Sequence, residues 1–110
     1  MYIYKNSEIS VQDLKKLIDL QPDIQILDVR DDSERKLVSL KNTIHIKLSD
    51  LAKEYDKLNP KKNIFVMCHT GVRGQVAVKW LKSKGCEHAV NVLGGIDAWS
   101  ALIDNSLRRY

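Results

Sequence analysis

The hydrophobic and polar positions of this chain form two alternating patterns, short apolar runs and longer stretches with helical spacing. Three short, mainly apolar runs predict buried strands, because each is only a few residues long and rich in aliphatic side chains. They extend from Ile24 to Val29, from Ile64 to Met67 and from Ala89 to Leu93. A further candidate strand places Ile44, Ile46 and Leu48 in alternation with polar residues.

Helices are predicted where apolar residues recur at every third or fourth position. Ser10 is placed to cap a first helix that carries Val11, Leu14, Leu17 and Ile18. A second amphipathic helix carries Leu51, Ala52, Tyr55 and Leu58 and stops at Asn59-Pro60. A third, from Gly74 to Lys84, is expected to turn Val76, Ala77, Trp80 and Leu81 inward and to end before Gly85. A short fourth helix extends from Ile96 to Ala101.

This alternation predicts an α/β fold, with a mostly parallel central sheet of about five strands flanked by helices in three layers. The length of 110 residues suits one domain that spans residues 1–110. No apolar run approaches the roughly 20 residues that cross a bilayer. The first residues lack the apolar core of a signal peptide, so we expect a cytoplasmic protein without membrane association.

Charge and aromatic content restrict the class of partner. The net charge is only +4, the lysines are scattered and 6% of residues are aromatic, which argues against nucleic-acid binding. A basic surface that attracts acidic partner proteins is compatible with this charge.

Candidate chemistry follows two of the predicted strands, and ligands of parallel sheets bind at this edge. Asp28-Val29-Arg30 ends one strand, and Cys68 lies between the end of another and the start of a helix. Backbone N–H groups and the helix dipole stabilise a thiolate there, which predicts a nucleophile that acts on an anionic or sulfur-bearing substrate. Cys86, just after Gly85, is expected to be a free thiol that fills space. No metal is expected, because no His or Cys cluster has zinc spacing.

Three ordered motifs resemble the rhodanese-like family between about Ser10 and Trp99. Ile26-Leu27-Asp28-Val29-Arg30 with Glu34 resembles the family's strand-end segment, Cys68-His69-Thr70-Gly71-Val72-Arg73 its active-site loop, and Asn91 to Trp99 its closing Gly-Gly segment. The resemblance implies sulfurtransfer without a cofactor, from thiosulfate or a persulfide-carrying protein to a thiol or protein acceptor. The tail from Trp99 to Tyr110 resembles rhodanese domains fused to ubiquitin-activating-like adenylyltransferases, so an adenylyltransferase or sulfur-carrier protein is an expected partner.

The resemblance also implies roles for individual residues. Cys68 would carry the persulfide, and the amides from His69 to Arg73 (His69, Thr70, Gly71, Val72 and Arg73) would surround the terminal sulfur or an anionic donor. Arg73 would orient this loop and bind anions, and Asp28 and Arg30 would support it structurally. Gly71 suits a bend that needs φ > 0. Gly74 stands where the family commonly has Ser or Thr, a loss expected to tune activity rather than abolish it.

Several residues have simpler interpretations. His69 could act as a general acid or base, but its side chain is expected to point to solvent. His45 and His88 are expected to be surface or packing histidines, and Trp80 and Trp99 to belong to the core. The charged run from Arg30 to Arg35 is interpreted mostly as a solvated helix start. The segment Val38–Thr43 lacks the glycines and histidine that the family usually has there, so the resemblance does not extend to the role of this segment.

Two other functions compete with sulfurtransfer. Cys-x-x-Gly-x-Arg resembles the phosphate loops of phosphatases and arsenate reductases, although the related cell-cycle phosphatases use Cys-x₅-Arg. The shorter loop from Cys68 to Arg73 favours a single sulfur atom. The other alternative is a non-catalytic rhodanese-type interaction module, but such modules often lack the cysteine that this chain has.

Overall fold

Five parallel strands pair in the order β1-β5-β4-β2-β3 in the computed structural model, which describes residues 2–110. They are β1 (Glu8–Ile9), β2 (Gln25–Asp28), β3 (Ile44–His45), β4 (Ile64–Met67) and β5 (Ala89–Val92). The central strand β4 pairs with β2 on one side and β5 on the other, and all four of its residues are buried. Burial on both faces explains why its sequence is an uninterrupted apolar run.

The helices are α1 (Val11–Leu20), α2 (Asp32–Leu37), α3 (Leu51–Glu54), α4 (Val72–Ser83) and α5 (Gly95–Leu102), with 3₁₀ turns at Leu48–Asp50 and Tyr55–Lys57. The first helix begins as predicted, with Ser10 Oγ accepting a hydrogen bond from the Asp13 amide at 3.1 Å. Within the described residues, no helix is long and apolar enough to cross a membrane.

Two buried clusters cover the faces of the sheet, and the alternating side chains of β4 contribute to both. Ile64 and Val66 pack with residues of α3 and α4, whereas Phe65 and Met67 pack with α1 and α5. The sheet therefore lies between two helical layers, which confirms the predicted three-layer α/β fold.

Two packing predictions are wrong. Val76 is 58% exposed, and Val78 is buried in its place, because α4 turns a different side of its second turn to the sheet. Arg30 is fully buried rather than part of a solvated helix start. The strand predicted around Ile44 is also shorter than expected, since the chain enters a 3₁₀ turn at Leu48.

Candidate active site

Cys68 follows β4 directly, at the carboxyl edge of the sheet, and its side chain turns back toward the start of α4. Its Sγ accepts hydrogen bonds from the amides of Gly71 at 3.0 Å and Gly74 at 3.2 Å. The first amides of a helix have no partner within the helix and carry the positive end of its dipole. We call residues 68–74 the Cys68 loop. It presents backbone donors to a cysteine that is only 1% exposed.

Gly71 makes the bend of the Cys68 loop possible. Its φ is +99°, in the left-handed region that favours glycine, as the sequence predicts. A Cβ at this position would also lie 3.2 Å from the Gly94 nitrogen. The bend brings the Gly71 amide to the sulfur.

The start of α5 holds the first two residues of the Cys68 loop in place. The amides of Ile96 and Asp97 donate to the carbonyl oxygens of Cys68 and His69, at 2.8 and 3.0 Å. A Cβ on Gly95 would lie 2.3 Å from the Cys68 oxygen, so this close approach requires glycine. The Gly-Gly segment therefore serves to pack α5 against the loop.

A steric contact that the sequence did not reveal explains why position 74 is a glycine. A Cβ there would lie 2.1 Å from Asn91 Oδ1, so a larger residue requires the Asn91 side chain to move. Asn91 is a buried residue of β5 whose Nδ2 donates to the Gly71 oxygen at 3.1 Å. Its Oδ1 has no hydrogen-bond partner among the described residues. Asn91 thus supports the Cys68 loop from beneath.

Arg73 connects the Cys68 loop to α2 through a paired interaction with Glu34. Arg73 Nη1 and Nη2 lie 2.5 and 2.7 Å from Glu34 Oε1 and Oε2. These bonds hold the pKa of Glu34 at about 2 and raise the pKa of Arg73. The guanidinium that was expected to orient the loop and bind anions is therefore engaged with a carboxylate.

Asp28 and Arg30 form a buried ion pair below this region. Arg30 Nη2 lies 2.8 Å from Asp28 Oδ2, and Arg35 Nη1 approaches the same oxygen at 2.9 Å. Burial by itself lowers the pKa of Arg30, but its hydrogen bonds to Asp28 and Tyr110 outweigh burial and raise it. Arg30 also donates to the Val38 oxygen, so the pair ties the end of β2 to the segment after α2.

Tyr110 reaches the site from the other end of the chain. Its hydroxyl donates to Glu34 Oε2 at 2.6 Å and accepts from Arg30 Nη1 at 3.2 Å. Its ring stacks on His69 with centroids 3.9 Å apart, and His69 Nε2 bonds its main-chain oxygen at 2.8 Å. His69 is therefore held between the loop and the tail instead of pointing to solvent as expected, whereas Thr70 and Val72 are exposed.

Glu34, Asn91 and Tyr110 enter the sequence-based predictions only as parts of motif segments, and none of them is assigned a role at the site there. Asn91 could have been suspected, because it is the one polar residue in an otherwise apolar strand. Glu34 follows Arg30 by four residues, within the charged run. Tyr110 carries no local signal, since its contacts with Arg30 span 80 residues.

The second cysteine, the two tryptophans and the two remaining histidines lie outside the Cys68 loop. Cys86 is a buried free thiol whose pKa is raised by burial, in agreement with its predicted packing role. Trp99 belongs to the core, and Trp80 is half-buried against Tyr55. His45 Nε2 bonds the Arg30 oxygen, and His88 is half-buried. Across residues 2–110, no group of three or more His, Cys, Asp or Glu side chains is arranged to hold a metal ion.

Most of the chain matches the model of a single protein family. Residues 10–102 match the model of the rhodanese-like domain. The rhodanese-like domain protein of Staphylococcus aureus has a similar structure, with a TM-score of 0.83 and 28% identity over 96% of this chain and 99% of that one.

Curated relatives include both short and long proteins. The chain is 32% identical to the putative sulfurtransferase YtwF of Bacillus subtilis, over 84% of this chain and 88% of that protein. It is 31% identical to the putative sulfur carrier protein YrkF of the same species, where the match covers 84% of this chain but spans only 50% of the relative. It is 39% identical to the adenylyltransferase and sulfurtransferase uba4 of Ogataea parapolymorpha, over 96% of this chain and 26% of the relative.

Proposed function

We propose that this chain, which belongs to the rhodanese-like domain family, is a sulfurtransferase that carries sulfane sulfur as a persulfide on Cys68. The observation that carries the proposal is the position of Cys68 Sγ, 3.0 and 3.2 Å from two backbone amides at the start of α4. Backbone donors that point at a sulfur stabilise negative charge on it. Both the attacking thiolate and the persulfide carry such a charge.

The first step is an attack of the Cys68 thiolate on the outer sulfur of the donor. With thiosulfate, a bond forms between Sγ and the sulfane sulfur, the sulfur–sulfur bond of thiosulfate breaks, and its electron pair leaves with sulfite. With a persulfide donor, the same attack releases the donor thiolate. No electrons are gained or lost overall, so the step needs no redox cofactor.

The second step returns Cys68 to its starting state. A nucleophilic acceptor, such as a thiolate, attacks the terminal sulfur, which lies about 2 Å beyond Sγ. The Cys68 thiolate then leaves, and the Gly71 and Gly74 amides stabilise the charge that returns to Sγ. The Arg73–Glu34 pair and the α5 contacts hold the loop in one geometry through both steps.

The relatives support protein partners for this chemistry. One relative is named a putative sulfur carrier protein and another an adenylyltransferase and sulfurtransferase, which supports a donor or acceptor that is a protein of the sulfur-carrier class. Cys68 and Cys86 are both free, which suits a reducing compartment such as the cytoplasm.

The experiment that tests the proposal measures the intact mass of the protein after incubation with thiosulfate or a persulfide donor. We expect a gain of one sulfur atom that a thiol reductant removes. The gain should be absent in Cys68→Ser and retained in Cys86→Ser, the matched control. Absence of any adduct together with hydrolysis of an aryl phosphate would replace sulfurtransfer with oxyanion chemistry.

A further inference from the structure

One face of α4 is exposed and apolar next to the Cys68 loop. Val72 and Val76 are one turn apart and 68% and 58% exposed. Leu93, 41% exposed, precedes Gly94, whose nitrogen lies close to Gly71. Val72 and Val76 are mostly exposed and Leu93 is partly exposed, although each is apolar.

The same face continues into a surplus of positive charge. Lys79 lies three residues beyond Val76 and Lys82 follows one turn later, so both project on the same side of the helix. From Val72 to Lys84 the chain has no Asp or Glu. Within the described residues, no carboxylate forms a salt bridge with either lysine, and Lys82 donates only to Ser7 Oγ. By contrast, Lys15 and Lys16 of α1 pair with Asp19 and Asp13.

The position of this face relative to the nucleophile suggests what binds there. Cys68 is 1% exposed, and Val72 lies in sequence between the two residues whose amides contact its sulfur, so a protein that rests on Val72 is close to the nucleophile. Cavities of about 360 and 260 Å³ lie elsewhere, one bordered by Ile26 and Leu40 and the other by Gln25 and Asn63. A partner that rests on an apolar patch with a basic margin is attracted when it carries apolar and acidic side chains.

We propose that the face formed by Val72, Val76, Lys79 and Lys82 is the docking surface for an acidic protein that delivers its sulfur as a cysteine persulfide. The inference rests on the proposed function and specifies its donor. The Cys68 thiolate attacks the terminal sulfur of the docked persulfide, the sulfur–sulfur bond of the donor breaks, and the donor leaves as a thiolate. Oppositely charged surfaces raise the rate of encounter, and the effect falls with ionic strength.

The test uses two cysteine-persulfide peptides of equal length as donors, each with a leucine beside the cysteine. The two peptides differ only at their charged positions, which are all glutamate in the acidic peptide and all lysine in the basic one. With the wild-type protein at low salt, we expect kcat/KM to be about tenfold higher for the acidic peptide, and this preference to decline as salt is added. Thiosulfate serves as a small donor that needs no docking surface.

Two double variants locate the preference. Val76→Ser/Lys79→Glu alters the proposed surface, and Leu20→Ser/Lys61→Glu replaces an exposed aliphatic residue and an exposed lysine in the same way toward the opposite end of the sheet. The first should reduce the preference for the acidic peptide to about twofold or less, and the second should retain it. Both should keep the thermal unfolding midpoint of the wild type and their sulfur uptake from thiosulfate.

The outcomes separate the docking surface from the proposed function. If the wild type takes sulfur from none of the three donors, the proposed function fails. If it uses both peptides equally, or if both double variants lose the preference alike, sulfurtransfer stands and the docking surface is wrong. If a short oligonucleotide inhibits the acidic peptide's reaction through Lys79 as strongly as a persulfide-free acidic peptide does, the surface selects polyanions rather than an acidic protein.

Discussion

At the scale of single residues, the hydrogen bonds that Cys68 Sγ accepts come from main-chain groups and not from neighbouring side chains. Two amides contact the sulfur, whereas the side chains of Thr70 and Val72 face outward. Side chains contribute by fixing the loop, as the Arg73–Glu34 pair does. Because that pair is ionic and partly buried, its contribution to stability depends on pH.

Glu34→Gln should lower the free energy of unfolding at neutral pH by about 1 to 3 kcal/mol. The Arg73 guanidinium holds the pKa of Glu34 at about 2 in the folded protein, below its ordinary value of 4.5. A carboxylate with a lowered pKa stabilises the fold fully above its ordinary pKa, and this contribution is lost as pH falls toward the folded value. Denaturant unfolding should therefore show the wild-type advantage between pH 4.5 and 7 and its loss toward pH 2.

Glu87→Gln is the control for this prediction, because Glu87 is exposed and makes no salt bridge within the described residues. Its free energy of unfolding should follow that of the wild type at every pH. A difference between Glu34→Gln and wild type that stays constant from pH 7 to the acid limit would show that Glu34 acts through packing rather than charge.

At the scale of elements, the positions of α4 and α5 relative to the loop depend on glycines with positive φ. Gly95 has a φ of +57° and also packs against the Cys68 carbonyl, whereas Gly85 has a φ of +91° and a Cβ added there would meet no atom within 4 Å. The two positions share the conformational requirement and differ in steric contact. They therefore separate the two effects.

Gly85→Ala should cost about 1 to 2 kcal/mol of unfolding free energy, the ordinary cost of a left-handed residue. Gly95→Ala should cost more than this and also slow sulfur uptake, because its Cβ would lie 2.3 Å from the Cys68 oxygen and displace the loop. Denaturant unfolding and intact-mass kinetics measure the two effects. Equal costs in the two variants, with unchanged uptake, would contradict a steric role for Gly95.

The sequence predicts elements well where burial is continuous. Strand β4 matches its predicted bounds and β2 and β5 lie within theirs, because strands buried on both faces are mainly apolar. Strands β1 and β3 have two residues each, too few to produce a pattern. The exposed position of Val76 could not be predicted either. Both Val76 and Val78 are apolar and lie beside Ala77, and only the packing of α4 against the sheet decides which of the two valines is buried.

At the scale of the whole molecule, the strand order gathers the site from distant segments. The ends of β2, β4 and β5 are neighbours in the sheet, so Asp28, Cys68 and the Gly-Gly segment meet at one edge. This much could be predicted from the motifs and the rule that ligands bind at the carboxyl edge of parallel strands. The return of the tail could not, because one tyrosine near the end of a chain has no periodicity that reveals its partner.

Tyr110 joins three separate parts of the chain, and this connection can be measured. Tyr110→Phe retains the ring that stacks on His69 but loses the hydrogen bonds to Glu34 and Arg30. Hydrogen bonds to charged groups contribute about 1.5 to 3 kcal/mol, so the variant should lose a free energy of unfolding of this order. A double-mutant cycle with Glu34→Gln should give a coupling energy of at least about 0.5 kcal/mol, as expected for residues in one network.

Tyr4→Phe is the matched control, since it also removes one hydroxyl, which donates to the Glu8 oxygen away from the site. It should show no coupling with Glu34→Gln and no change in sulfur uptake. Tyr110→Ala should slow uptake more than Tyr110→Phe does, because His69 then loses its stacked partner as well and the Cys68 loop is less restrained. If Tyr110→Phe and Tyr4→Phe behave alike in the cycle, and Tyr110→Ala takes up sulfur at the wild-type rate, the tail contributes to packing alone and the site consists only of the three strand ends.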